Sequence, residues 1–229
     1  MIIVLTGAPG AGKGTQADLL VKRDGYKTLS TGSALRKHIQ AGTPIGKVAE
    51  GLVTKGHLVP DDVLLKILEE ELKGTETEVV LLDGYPRNLN QAKDLETALV
   101  KHRVKGVVAL EVPKDELIRR ISGRLVCSKC GATYHETMNP PRVKGVCDNC
   151  GALGLARRAD DAPDKVATRL EVYENATKPV LDYYKSKGVC RVIDGNRGTE
   201  DVYQDLHTAI EHLTGGASRT SRSVEQPQV

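Results

Sequence analysis

A glycine-rich segment near the start of the chain has the residue types and spacing needed to bind phosphate. Residues 7–15 read Gly-Ala-Pro-Gly-Ala-Gly-Lys-Gly-Thr, after the apolar run 2–5 and before helical spacing of apolar residues over 15–23. Glycines let successive backbone N–H groups face one concavity, and the dipole of a helix that starts behind them favours an anion there. Lys13 adds a mobile positive charge, so a phosphate-binding loop is favoured over an ordinary tight turn. Its predicted binding residues are Gly10, Ala11, Gly12, Lys13, Gly14 and Thr15.

Magnesium binding is a second chemistry that the sequence suggests, with one departure from the usual pattern. Gly14 stands where many such loops have the Ser or Thr whose hydroxyl binds Mg²⁺, and Thr15 comes one place later. We therefore expect nucleotide phosphates and water to hold Mg²⁺, with carboxylates in the next layer. Asp83 ends the apolar run 79–82, which is typical of a central parallel strand, and ligands bind at the carboxyl ends of such strands. Asp83 is therefore predicted near the loop, although a turn or helix-capping aspartate would also fit.

Four cysteines have the spacing of a metal site. Cys127 and Cys130 form one Cys-x₂-Cys pair, Cys147 and Cys150 form another, and sixteen residues separate the pairs. Four thiolates in this pattern leave no open position, so a structural Zn²⁺ is predicted, with iron as a second candidate metal. Two disulfides or free thiols are also compatible with the spacing. So short a segment cannot bury a stable core unaided, and we interpret it as a flap whose fold the metal maintains.

The composition restricts the class of protein. The 229 residues are 39% hydrophobic, carry a formal net charge of +3 and contain seven Tyr but no Trp or Phe. No apolar run approaches the length of a membrane span, and the amino terminus lacks the basic and apolar regions of a signal peptide. We therefore expect a soluble, cytoplasmic protein without membrane partners. The small net charge and the scarce aromatic residues argue against nucleic acid as a partner.

Apolar runs typical of strands alternate with segments of helical spacing, which predicts a doubly wound α/β fold with a parallel, five-stranded sheet and two insertions. Thr31 is expected to cap the helix after the second strand, Cys190 to be buried in the last strand, and one long helix to run from 164 to 184. The predicted strands are 2–5, 26–30, 79–83, 107–112 and 189–193. The predicted domains are a core (1–29, 60–122 and 161–214), a helical insertion (30–59), a cysteine-bearing insertion (123–160) and a disordered tail (215–229).

Together these motifs resemble the adenylate kinases of the long, zinc-bearing type, which are P-loop nucleoside monophosphate kinases. The resemblance extends from Met1 to about Leu213. Beyond the glycine-rich loop and the cysteines, it rests on Ser30-Thr31-Gly32, Arg36, Asp83-Gly84-Tyr85-Pro86-Arg87, Gln91, Gly123-Arg124, Arg158-Ala159-Asp160-Asp161, Arg169-Leu170 and Tyr173.

The resemblance implies the reversible reaction ATP + AMP ⇌ 2 ADP with Mg²⁺, catalysed by a monomer. It implies that the core holds the phosphate-binding loop, that the helical insertion binds AMP, and that the cysteine-bearing insertion is a mobile lid over ATP. Ser33 departs from the acidic residue common after Ser-Thr-Gly, which leaves the partner of Arg36 open.

The resemblance also implies roles for individual residues. The implied catalytic residues are Lys13, Asp83, Arg87, Arg124, Arg158 and Arg169. The implied AMP-binding residues are Thr31, Arg36, His57, Leu58, Val59, Gly84, Tyr85, Pro86, Arg87, Gln91, Arg158 and Arg169, with Gln91 on the adenine. Besides the loop, the implied ATP-binding residues are Arg120, Arg124, Thr133, Tyr134 and Arg197.

General chemistry agrees with this interpretation. Phosphoryl transfer through a loose transition state needs positioning and cations around the equatorial oxygens, and an anionic acceptor phosphate needs no general base. Scattered arginines that converge on one cleft supply those cations. Closure of two insertions over the nucleotides keeps water from accepting the phosphoryl group.

Two further functions stay open at the level of sequence. The nearest is a kinase acting on UMP or CMP, although Gln91, Thr31 and the long lid favour AMP. The second is a zinc-ribbon binding module that uses ATP only as a regulatory ligand. That function predicts a basic, aromatic-rich ribbon surface and dispensable Arg87 and Arg158.

Overall fold

Five parallel strands form the central sheet of the computed structural model, which describes residues 1–55, 57–73, 75, 79–98 and 103–216. The strands within these ranges are β1 Ile2–Gly7, β2 Lys27–Ser30, β3 Val80–Asp83, β4 Val104–Glu111, β5 Arg124–Cys127, β6 Thr133–His135, β7 Leu155–Ala156 and β8 Cys190–Asp194. The central sheet has the order β2-β3-β1-β4-β8, and every neighbouring pair is parallel. The predicted parallel α/β sheet is confirmed.

Helices cover both faces of this sheet. Those in the described ranges are α1 Lys13–Asp24, α2 Thr31–Gln40, α3 Pro44–Val53, α4 Asp61–Glu71, α5 Leu89–Ala98, α6 Lys114–Ser122, α7 Pro163–Val172, α8 Lys178–Ser186 and α9 Thr199–Thr214. Ile2 and Val4 of β1 pack in the core with α4, α5 and α8, whereas Ile3 and Leu5 pack in the core with α1, α6, α7 and α9. Because successive side chains of a strand point to opposite faces, a strand buried on both faces reads as a continuous apolar run.

Two segments interrupt the alternation of strands and helices. The first contains α2 and α3, between β2 and α4. These helices approach closely at Gly46, where an added Cβ would lie 2.1 Å from the carbonyl oxygen of His38. The second segment contains a separate antiparallel sheet of order β6-β5-β7, which follows α6 and precedes a 3₁₀ turn at Ala159–Asp161.

Three local predictions are wrong. Ser30, not Thr31, caps α2, because Ser30 Oγ accepts the backbone N–H of Ser33 (3.4 Å). The hydroxyl of Thr31 instead donates to the carbonyl of Gly84 (2.9 Å), a contact distant in sequence. The long helix is interrupted by a π-helical turn at Tyr173–Thr177, just before Pro179, which has no N–H to continue the hydrogen-bond ladder. Cys190 is partly exposed, because β8 is an edge strand.

Some sequence predictions fall on residues outside the described ranges. They are Gly56, Leu99, expected in the helix that follows β3, and 217–229 of the predicted tail. At the start of that tail, Gly215 ends α9 at φ 66°, and the N–H of Gly216 donates to the carbonyl of Glu211 (2.9 Å). Among the described helices, none has both the length and the apolarity that crossing a bilayer requires.

Candidate active site

The glycine-rich loop joins β1 to α1, and two glycines and α6 shape it. Gly12 caps α1 at φ 93° and Gly10 has φ 86°, both in the left-handed region that favours glycine. A Cβ on Gly10 would lie 2.8 Å from Ile121 Cγ1 and 2.9 Å from the carbonyl oxygen of Leu117, so α6 packs directly against the loop. The first turn of α1 contains no acidic residue. The loop therefore leaves the positive end of the helix dipole available to an anion.

Lys13 is the first residue of α1 and lies deep beside the loop. Its Nζ donates to the carbonyl oxygens of Gly7 (2.7 Å) and Ala8 (3.1 Å). Burial lowers the pKa of Lys13 to about 8, a net shift that Asp83 opposes and nearby Arg87 assists. Among the described residues no carboxylate forms an ion pair with Lys13, and such a desolvated ammonium group gains more from an arriving phosphate than a hydrated one does.

Asp83 lies at the carboxyl end of β3, beside Leu5 of β1 and Ser30 of β2. Its Oδ2 accepts a hydrogen bond from Ser30 Oγ (3.3 Å), whereas its Oδ1 is buried and has no hydrogen-bond partner in the part of the chain that the structure describes. Leaving a buried acceptor unsatisfied is costly, so this oxygen fits a donor that arrives with a ligand. A water molecule of a hydrated Mg²⁺ is such a donor, and the site therefore fits Mg²⁺.

Three arginines from different elements meet two adjacent carboxylates. Arg124 and Arg169 both bind the Asp161 carboxylate, Arg124 through Nε (2.8 Å) and a second, shorter contact, and Arg169 through Nη1 (2.8 Å). Arg158 binds Asp160 through Nε (2.9 Å) and Nη2, and Arg169 Nη1 lies 3.2 Å from the same carboxylate. Burial opposes ionisation of Asp160, but Arg158 and Arg169 outweigh it and hold its pKa below the usual value. The arginines are therefore fixed in place before any anion arrives.

Arg36 and Arg87 add two more cations to the same region. Arg87 Nε donates to the carbonyl of Gly84 (2.7 Å), and Arg36 Nη2 donates to the hydroxyl of Ser33 (2.9 Å). The hydroxyl of Ser33 thus provides the partner of Arg36 that the sequence left open. Burial lowers the pKa of Arg87, and it lowers that of Arg36 to about 10, with Arg158 adding to the effect. Both guanidinium groups stay charged at neutral pH, but their buried surroundings solvate the positive charge poorly.

One cleft brings eleven of the predicted site residues together. Apolar side chains also line part of it, including Leu35, Val53 and Leu64, which were not predicted as site residues. The predicted residues that line this cleft are Lys13, Thr31, Arg36, His57, Leu58, Val59, Gly84, Pro86, Arg87, Arg158 and Arg169. Asp160 also lines it, and the motif Arg158-Ala159-Asp160-Asp161 was the signal from which the role of both carboxylates could have been inferred.

Several predicted residues do not line this cleft. Tyr85 and Gln91 are almost completely buried. Arg120 binds Glu116 (2.7 Å) and the carbonyl of Gly195 (3.0 Å), which places it beside the loop after β8. Arg197, in that loop, is exposed and binds Asp205 (2.6 Å). Thr133 is exposed on β6, and Tyr134 is buried beside the cysteines.

The four paired cysteines form one cluster, and none of the chain's five cysteines, all of which are described, is in a disulfide. The four sulfur atoms all lie within 4.8 Å of one another, with 3.7 Å between Cys127 and Cys150 and 3.5 Å between Cys130 and Cys147. A tetrahedral Zn²⁺ with Zn–S bonds of about 2.3 Å separates its sulfur ligands by roughly 3.8 Å. The hydroxyl of Tyr134 lies 3.4 Å from Cys147 Sγ and helps to lower the pKa of that thiol to about 6. The spacing of the four sulfur atoms therefore fits zinc, which binds thiolates.

The fold and the site define a P-loop protein that binds nucleotide phosphates. Its features are a doubly wound parallel sheet, a glycine loop with its lysine, and a cleft lined by arginines. The family model described as adenylate kinase matches residues 5–189. The adenylate kinases of Carboxydothermus hydrogenoformans and Staphylococcus epidermidis are each 42% identical to the chain, over 214 and 216 residues that cover 92% and 93% of it and 100% of each relative. That of Caldanaerobacter subterraneus is 45% identical over 213 residues, covering 92% of the chain and 96% of the relative. The chain belongs to the adenylate kinase family.

Proposed function

We propose that this protein transfers a phosphoryl group reversibly between ATP and AMP to give two ADP. The observation that supports this most directly is the convergence of Lys13, Arg36, Arg87, Arg158 and Arg169 on one cleft against the glycine-rich loop. These cations offset the charge of two nucleotides held end to end and stabilise the phosphoryl group during transfer. Positioning and electrostatic stabilisation supply nearly all of the catalysis in this type of reaction. The acceptor phosphate of AMP is already anionic, so no general base is needed.

AMP occupies the side of the cleft formed by α2, α3 and the segment after β3. Arg36 and Arg87 bind its phosphate, while the apolar residues around Val59 and Leu64 receive its base. Gln91 hydrogen-bonds the adenine. Thr31, His57, Leu58, Gly84, Tyr85 and Pro86 complete this part of the site.

ATP occupies the side that contains the loop. Lys13 and the N–H groups of the loop bind its phosphates, and Arg124, Arg158 and Arg169 turn from Asp160 and Asp161 towards the phosphoryl group in transit. The remaining contacts to ATP come from Arg120, Thr133, Tyr134 and Arg197. Mg²⁺, bound to the ATP phosphates, would offset their charge, and Asp83 would hold it through water by the unpartnered Oδ1.

We propose the domain organisation predicted from the sequence. Residues 30–59 form the AMP-binding insertion and 123–160 form the lid, in which Zn²⁺ has a structural role. We also propose that the protein is cytoplasmic, since ATP and AMP are available there and thiols stay reduced. We propose that it acts as a monomer.

A spectrophotometric assay of ADP formation tests the proposal directly. The purified chain is given ATP and Mg²⁺ with AMP, UMP, CMP or GMP in turn, and AMP is expected to be the preferred acceptor. A preference for UMP or CMP would reassign the acceptor site to another nucleoside monophosphate kinase. ATP binding without phosphoryl transfer to any of the four would overturn the proposal and favour the regulatory zinc-ribbon module.

A further inference from the structure

The side chain of Gln91 is completely buried, and both ends of its amide have hydrogen-bond partners. Gln91 Oε1 accepts the backbone N–H of Arg87 (2.6 Å), and Gln91 Nε2 donates to Asp61 Oδ1 (2.6 Å). Asp61 is the first residue of α4, and Gln91 is the third residue of α5. Asn88 joins the network from both sides, because its Oδ1 accepts the N–H of Gln91 (2.8 Å) and its Nδ2 donates to Asp61 (3.1 Å).

These partners leave the amide one orientation. A backbone N–H can only donate and an ionised carboxylate can only accept, so the oxygen of Gln91 must face Arg87 and its nitrogen must face Asp61. Rotating the amide by half a turn would set two donors against each other at Arg87 and two acceptors against each other at Asp61. In the fixed orientation, one lone pair of Oε1 and one hydrogen of Nε2 remain unused.

Gln91 does not line the cleft in this structure, but in the proposed function it meets the base of AMP, and the unused lone pair and hydrogen would then face the six position and N1 of the purine. Adenine carries an amino donor at C6 beside the ring acceptor N1, whereas guanine and hypoxanthine carry an oxygen at C6 beside a ring N–H. The fixed acceptor Oε1 would accept from the amino group of adenine, and the fixed donor Nε2 would donate to its N1. A 6-oxopurine in the same position would place an acceptor against Oε1 and a donor against Nε2. Arg87, one hydrogen bond away from the amide, lines the cleft.

We propose that Asp61 is a positioning residue that fixes the amide of Gln91 and thereby makes the acceptor site select 6-aminopurine over 6-oxopurine nucleotides. This inference rests on the proposed function, in which Gln91 meets the base of AMP. Asp61 itself needs no contact with the nucleotide. A carboxylate suits this role because, unlike an amide, it cannot reverse its hydrogen-bonding polarity.

The test compares Asp61→Asn with Asp62→Asn. Asp62 is an exposed neighbour in the same first turn of α4, so the control removes the same charge near the same helix end. The measured quantity is kcat/KM for AMP divided by kcat/KM for inosine monophosphate, with ATP as the donor. We expect Asp61→Asn to lower this ratio about tenfold, at the lower end of what one mispaired base edge is worth, and Asp62→Asn to leave it unchanged. An unchanged ratio in Asp61→Asn overturns the proposal.

Two features keep the result interpretable. Both acceptors are measured on the same preparation, so their ratio does not depend on the fraction of the variant that folds. The same substitution is also made in a Gln91→Ala chain, where no further change of the ratio is expected, because the amide that Asp61 positions is gone. A similar fall in both backgrounds contradicts the proposal. If the parent chain does not phosphorylate AMP at all, the proposed function fails instead.

Discussion

At the scale of single residues, two adjacent carboxylates offset the repulsion between three arginines. In the proposed mechanism Arg124, Arg158 and Arg169 surround a phosphoryl group, and without nucleotide their charges would repel one another. Asp160 and Asp161 pair with all three, and Arg169 contacts both carboxylates. The cations are thus preorganised, and each can exchange a carboxylate oxygen for a phosphate oxygen when the nucleotides arrive.

Lys13 has no carboxylate partner within the described ranges, so its removal tests the anion site without exposing a buried acid. We expect Lys13→Met to lower kcat for ADP formation at least about 100-fold, the typical loss when one preorganised donor is removed from a charged transition state. The thermal melting temperature should not fall, because the substitution also removes a buried charge. Lys22→Met, at an exposed position of α1, is the control and should keep full activity. Equal activity in both variants would remove Lys13 from the mechanism.

The lowered pKa of Lys13 predicts a pH dependence of ATP binding. Its ammonium form binds phosphate, and in the free protein that form is lost as the pH rises through about 8. ATP favours the charged form, so binding near that pH should take up a proton. Titration calorimetry in buffers of different ionisation enthalpy should show this uptake, and affinity should fall about tenfold per pH unit above the pKa. In Lys13→Met both effects should disappear. Proton uptake that persists there would assign the titration to another group.

At the scale of elements, the small lid sheet depends on its metal site. The buried apolar residues of this part are Cys127, Tyr134 and Cys147, with a few half-buried side chains packed around them. So small a core cannot offset the entropy cost of ordering the segment, and two of its three members, Cys127 and Cys147, belong to the sulfur cluster itself. In the proposed zinc site, the free energy of metal binding would therefore supply much of the stability of this segment.

Metal loss is accordingly expected to lower stability before it lowers activity. Cys147→Ser should reduce the bound metal, measured by elemental analysis, and should lower the melting temperature, while activity at a low assay temperature falls less. Cys190→Ser, outside the cluster, is the matched control and should keep both the metal and the melting temperature. Loss of catalysis at an unchanged melting temperature would show that the ion acts in the reaction instead of in the fold.

At the scale of the whole molecule, the proposed reaction requires a closed site for phosphoryl transfer and an open site for release of the products. Gly123 lies between α6 and β5, where the chain leaves the core, and an added Cβ there would lie 2.4 Å from the ring of His135. The close contact ties β6 to the entry of the lid. If this segment is the proposed lid, stiffened by its metal, its opening and closing are steps separate from the chemistry.

We expect lid opening to limit turnover. Mixing excess ATP and AMP with the enzyme in a rapid-quench instrument should give a fast burst of enzyme-bound ADP, followed by a slower steady rate. The size of the burst should scale with the enzyme concentration, and Lys13→Met should show none. Single-turnover chemistry no faster than kcat would contradict this prediction and make phosphoryl transfer the slow step.

Much of the architecture and of the local chemistry could be predicted without coordinates. The strand, glycine loop and helix around Lys13, the carboxylate that ends β3 and the two cysteine pairs are short patterns, and each is fixed by neighbours within a few residues. The period of apolar residues likewise predicts the parallel sheet. The interruption of the helix before Pro179 and the cap at Ser30 were missed, although their causes are also local.

By itself, the sequence determined which residues can bind phosphate, which can bind metal, and what kind of sheet would carry them. Only the tertiary structure decided that Asp160 and Asp161 hold three arginines, that Asp83 keeps one oxygen unsatisfied, and that Asp61 reaches Gln91. The reason is physical. Periodicity and spacing encode contacts between near neighbours, whereas a hydrogen bond between residues 30 positions apart depends on the path of the whole chain.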